Sequence, residues 1–152
     1  MEFFNDPQMV IVLKLLLAAF LGGLIGIERK YKKKEAGLRT YSLVCLGAAF
    51  FTIISYETIR LFPNSTILNF DPSRIIGQLV LGIGFLGAGL IIFRGSHIEG
   101  LTTAAGLWVA TAVGAAIGIG FYALAFFAAF LIIGILSGLR IIEERYLEKG
   151  QE

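Results

Sequence analysis

Apolar and polar positions along this chain fall into long blocks, without the short alternation of strands or the mixed stripe of a surface helix. Apolar runs cover about residues 9–27, 38–59, 75–93, 101–119 and 121–139, separated by brief polar connections. Each run is about nineteen residues or longer, which at 1.5 Å rise per residue crosses the roughly 30 Å hydrocarbon layer of a bilayer. The pattern predicts an all-α, polytopic bundle of five transmembrane helices forming one domain over residues 1–139. Residues 140–152 place Ile141, Ile142, Tyr146 and Leu147 among Glu143, Glu144, Arg145, Glu148 and Lys149, which predicts a short amphipathic tail at the membrane surface.

Composition agrees with this reading. Hydrophobic residues make up 57% of the 152 and charged residues 16%, with a mean hydropathy of +0.81, which excludes an ordinary soluble domain. The first residues carry Glu2 and Asp6 and lack the basic lead of a secretory signal, so the first run reads as a retained helix. Ten of the thirteen lysines and arginines lie in connections one and three or in the tail, and six of them between Arg29 and Arg39. The positive-inside rule then places the amino end outside and the carboxyl end in the cytoplasm. The basic run is expected to orient the chain and touch lipid, not nucleic acid.

Glycine supplies the next signal. In water it weakens a helix by roughly 1 kcal/mol relative to Ala, but in lipid it lets backbones approach. Gly106, Ala110, Gly114 and Gly118 recur every fourth residue behind Thr102, Gly22 and Gly26 form a GxxxG pair, and Gly82 sits midway along run three. This ridge serves either packing within the chain or an interface between subunits. A short polar hinge, Arg94 to Gly100, joins runs three and four. A 63-residue offset lays Gly37-Leu38-Arg39-Thr40 over Gly100-Leu101-Thr102-Thr103, the trace of a duplicated helical hairpin or of chance glycine richness.

Two polar clusters emerge from the topology. The cytoplasmic one is Glu28, Arg29, Arg39, Thr40, Thr102 and Thr103, with Glu28 expected to pair with Arg39 and the two threonines to cap the fourth helix. The outer one is Lys14, Glu57, Arg74 and Gln78, with Arg60 nearby. It reads as a structural pair, Glu57 with Arg74, or as an ion entrance, while Lys14 is expected to reach the nearer interface. His97 and Cys45 are each the sole residue of their type. No nucleophile, acid-base pair, cofactor cradle or metal-ligand spacing is visible, so neither enzyme chemistry, a cofactor nor a bound metal is expected.

Three blocks, GGLIGIERKYKKKEAGLRTYSLVCLGAA (22–49), RIIGQLVLGIGFLGAG (74–89) and GLTTAAGLWVATAVGAAIGIGFY (100–122), resemble the membrane domain of the MgtC/SapB family. The resemblance implies a multi-pass protein of the bacterial or archaeal inner membrane, tied to magnesium limitation and, in pathogens, to virulence. It implies the short form, the membrane domain without the founding branch's soluble carboxyl-terminal domain. Its motif positions include Glu28, Arg29, Gly37, Arg39, Thr40, Arg74, Gln78, Gly82, Thr102, Thr103 and Trp108. The expectation is a non-enzymatic protein acting through helix contacts with itself, as a homo-oligomer, or with another membrane protein in the lipid bilayer. The alternative is an oligomeric transporter or pore for an ion such as Mg²⁺.

Overall fold

The computed structural model describes residues 6–61 and 71–139. Among the described residues five helices are long and apolar enough to cross a membrane: α1 (Pro7–Tyr31), α2 (Leu38–Leu61), α3 (Pro72–Leu90), α4 (Leu101–Ile119) and α5 (Tyr122–Gly134), the last continuing through a π turn, Ile135–Leu139. The expected tail lies outside the described residues, as does most of the second polar connection.

Local chemistry sets the helix starts. Asp6 and Asp71 each stand before a proline, and each carboxylate accepts from a backbone N–H two residues on, Gln8 and Ser73, at 2.9 Å. Proline at the first helical position suits its fixed φ and missing N–H, and Asp is a preferred N-cap. The third helix therefore begins three residues before the apolar run and also ends three residues before it, at Leu90. The two Asp-Pro starts are 65 residues apart, two more than the 63-residue offset.

The connection after α3 is not the expected plain hinge. Ile92–Arg94 (β1) and His97–Glu99 (β2) form an antiparallel hairpin with Arg94 opposite His97. Gly95-Ser96 is the two-residue turn, with Gly95 at φ +62°, a conformation glycine adopts without penalty. Arg94 Nε and Glu99 Oε2 pair across it at 3.2 Å.

α4 is the centre of the bundle. Of its eighteen-residue apolar core 61% is buried, against 6% for α3. α1 presents Ala18, Leu21, Gly22, Ile25 and Gly26 inward, a helical stripe at spacings of three and four, and α5 presents Ala125, Ala129, Ile132 and Leu136. Large residues such as Phe20, Phe85 and Phe127 point outward, as expected where the solvent is lipid.

Candidate functional site

The glycine ridge of α4 is spent inside the chain. Gly114 lies against the Cys45 carbonyl, with Ala48 Cβ 2.9 Å from where a side chain would begin, and Gly118 lies against the Ala49 carbonyl and Thr52. One turn of α2 after another, Tyr41, Cys45, Ala49 and Thr52, meets this ridge. Tyr41 Oη sits over Gly106 and donates to the Thr103 carbonyl at 3.1 Å, while Cys45 Sγ donates to the Ala110 carbonyl at 3.2 Å. From α1, Gly22 abuts the same Tyr41 and Cys45, and Gly26 abuts Leu38. Removing side chains at these positions brings three backbones into contact, and the carbonyls so exposed take side-chain hydrogen bonds.

At the basic-rich end, connection one, the hairpin, the start of α4 and the end of α5 surround a cavity of about 760 Å³. Arg29 forms part of its wall at 2% exposure. Its Nε donates to Glu28 Oε2, and one Nη donates to the Leu136 carbonyl at 3.3 Å. The π turn explains that acceptor, because a widened turn releases carbonyls from the helical ladder. Ser137 Oγ donates to the other Glu28 oxygen at 3.2 Å. Thr103, buried, donates to Glu35 Oε2 at 3.2 Å.

Several expected pairings are corrected here. Glu28 binds Arg29 and Ser137, not Arg39: Gly26 faces α2, and two residues on, about 200° round the helix, Glu28 faces α5. Arg39 and Thr40 are exposed. Neither threonine caps α4, because its N-cap is Gly100 at φ +88° with no side-chain hydrogen bond. Thr102 is exposed on the cavity wall and Thr103 bridges to connection one.

At the opposite end the Lys14 ammonium donates to the Gly118 carbonyl at 3.0 Å, neutralising the negative end of α4. Lys14, Glu57 and Arg60 share a cavity of about 400 Å³. Glu57 pairs with Arg60 at 3.5 Å on its own helix, not with Arg74, which is exposed. The physical reason is that α2 and α3 splay apart, leaving an apolar groove of about 510 Å³ lined by Val44, Gly47, Phe51, Gln78, Gly82 and Leu86. Gly82, expected in a helix contact, meets nothing there. Among the described residues no three His, Cys, Asp or Glu side chains converge as metal ligands.

Tyr41, Glu35 and Ser137 escaped the sequence reading, in which Lys33 and Lys34 figure only as part of the basic run that touches lipid. Tyr41 is one of two tyrosines in α2, with Tyr56, and nothing in the sequence sets it apart. Glu35 is brought in by its contact with Thr103 of α4, and Ser137 by where α5 ends.

Five spanning helices closed by one glycine seam, with a polar cavity at each end, define a multi-pass membrane protein. The model of the MgtC family matches residues 15–145, and the chain belongs to that family. It is similar to YhiD of Escherichia coli (strain K12), whose name provisionally assigns it magnesium transport: 40% identical over 139 residues, 91% of this chain and 65% of YhiD. It is also similar to Protein MgtC of Salmonella typhimurium (strain LT2), 44% identical over 122 residues, 80% of this chain and 49% of MgtC. An uncharacterized protein of Haemophilus influenzae is 38% identical over 140 residues, 91% of this chain and 58% of its own. The chain spans about half to two thirds of the length of these relatives. No solved structure matches it significantly.

Proposed function

We propose that this chain is a non-enzymatic protein of the cell inner membrane that serves adaptation to magnesium limitation and related stress, virulence included. It acts through helix contacts, with a second copy or with another membrane protein, and sits amino end out. The observation that carries this reading is α3. Four of its five glycines, Gly77, Gly82, Gly84 and Gly89, have open space where a side chain would be, while Gly22, Gly26, Gly106, Gly114 and Gly118 all abut neighbours. In lipid, small residues without an intrachain partner favour a helix from elsewhere. Gly77 and Gly84, seven apart, share one stripe of α3 pointing away from Gly82 and its groove. Gln78, exposed within the same helix, adds an amide that hydrogen-bonds across helices more readily than it faces lipid.

The rival reading, an ion carrier, draws on the name of YhiD and on the two polar cavities. Between those cavities lie Leu21, Ile25, Leu107, Ala110 and Val113, all nearly unexposed, and this apolar packing among the described residues weighs against a route for an ion through a single chain. Purified chain in sealed vesicles with a trapped Mg²⁺ indicator is the test. Flux no greater than in empty vesicles is expected; a saturable Mg²⁺ flux overturns the reading in favour of a carrier.

A further inference from the structure

The cavity at the basic-rich end has no part in the helix contacts, and its lining is specific. The α4 N-terminus opens onto it without a side-chain cap, so the N–H groups of Leu101, Thr102 and Thr103 lack the acceptor that a Ser, Thr or Asp would supply. Ala104 N–H is already bonded to the Gly100 carbonyl. Arg29, 2% exposed, contributes to the wall. Two of its five N–H groups are held by Glu28 and the Leu136 carbonyl, and the other three have no partner among the described residues. A guanidinium already paired with Glu28 keeps donors that a further acceptor in the cavity can take.

Charge points the same way. Arg29 is offset by Glu28, and Glu99 by Arg94, leaving Lys33 and Lys34 against Glu35, whose Oε2 is engaged by Thr103. Among the described residues the balance is one positive charge, reinforced by the positive end of a nineteen-residue helix. Lys33 is the one described non-glycine residue at positive φ, +54°, a conformation that tightens the turn carrying both lysines. The rim is apolar: Ile98, Leu101, Ile135 and Leu139 are about half exposed. An acceptor-rich monoanion in the cavity, with hydrocarbon tolerated at the rim, matches these groups; a cation does not.

We infer that this cavity is a phosphate-binding site, taking either the phosphodiester of an anionic phospholipid or free inorganic phosphate. The α4 N–H groups and Arg29 donate to the phosphate oxygens, and Lys33 and Lys34 balance its charge. The inference is independent of what α3 contacts and of whether Mg²⁺ moves.

The test uses the whole chain, delipidated in a neutral maltoside detergent. One arm titrates phosphatidylglycerol, with phosphatidylcholine as reference, by native mass spectrometry; the other measures retention of labelled inorganic phosphate without lipid. The cavity variant combines Lys33→Asn, which keeps the left-handed turn accessible, with Lys34→Gln. The control, Lys30→Gln with Lys32→Gln, removes equal charge from neighbouring positions outside the cavity wall. Weakening of roughly tenfold or more in the cavity variant, and under about twofold in the control, is expected for one probe or both. That pattern with phosphatidylglycerol identifies a lipid headgroup, and with phosphate alone a free anion. Equal weakening in both variants, or retention of neither probe by the unaltered chain, overturns the inference.

Discussion

Gly114→Ala probes the α2–α4 seam with a single added methyl group. An added Cβ meets the Cys45 carbonyl oxygen, with Cys45 C and Ala48 Cβ both at 2.9 Å, where ordinary contact begins at 3.4 Å. The atoms met are backbone or a Cβ, so no side-chain rotation relieves them, and the two helices have to part by at least about 0.5 Å. The Cys45 Sγ to Ala110 bond, at 3.2 Å, lengthens but stays within the reach of a sulfur donor, so overpacking is the main cost, about 1–3 kcal/mol. That loss is read as equilibrium unfolding in mixed micelles followed by Trp108 fluorescence. Gly47→Ala, where a methyl meets nothing, is the reference and should be neutral or gain up to about 1 kcal/mol from helix propensity. Equal stabilities for the two variants would refute the seam.

Three other substitutions test separate parts of the account. Gly100→Ala combines left-handed strain at φ +88° with a clash on the Leu90 carbonyl, and should cost about 2 kcal/mol or more; Gly95→Ala, strained but unobstructed, should cost about 1 kcal/mol in the same unfolding assay. Lys14→Met leaves the Gly118 carbonyl at the end of α4 without its donor and should cost about 1 kcal/mol, a value near zero meaning that the bond is not made. The Ser73 hydroxyl and backbone N–H hold the Asp71 carboxyl below the usual carboxylate range. Its contribution is present above the unfolded-state value near about 3.9 and lost as pH falls through the lower folded value. Protection factors at the first turn of α3, with the intrinsic pH dependence of amide exchange removed, should therefore fall on acidification in the native chain and stay flat in Asp71→Asn.

The five spans were legible because lipid imposes length and polarity on every crossing helix, and no residue-level detail enters that argument. The row Gly106 to Gly118 could be seen as a contact surface, but not whose; only the facing row Tyr41, Cys45, Ala49 and Thr52 assigns it to the same chain. Ion pairs were the least legible. Glu28 and Arg39 look adjacent across a short turn, yet helix phase sends Glu28 to Ser137, 109 residues away. The hairpin at 92–99 was readable in principle, since Gly-Ser between the triplets Ile-Phe-Arg and His-Ile-Glu is a two-residue turn signal, but a hydropathy block hides it. The start of α3 at Pro72 was equally present in the Asp-Pro pair.

The central claim is that α4 is satisfied within the chain while the Gly77–Gly84 stripe of α3 is left for another helix. Single cysteines at Gly84 and, for comparison, at Phe130, which is 62% exposed on α5, test it by oxidation and thiol cross-linking in native membranes, with the buried Cys45 left in place. A Gly84→Cys adduct with a second copy or another membrane protein, well above that of Phe130→Cys, is the predicted result. Gly84→Cys remaining monomeric, or linking no more than Phe130→Cys, would contradict the account.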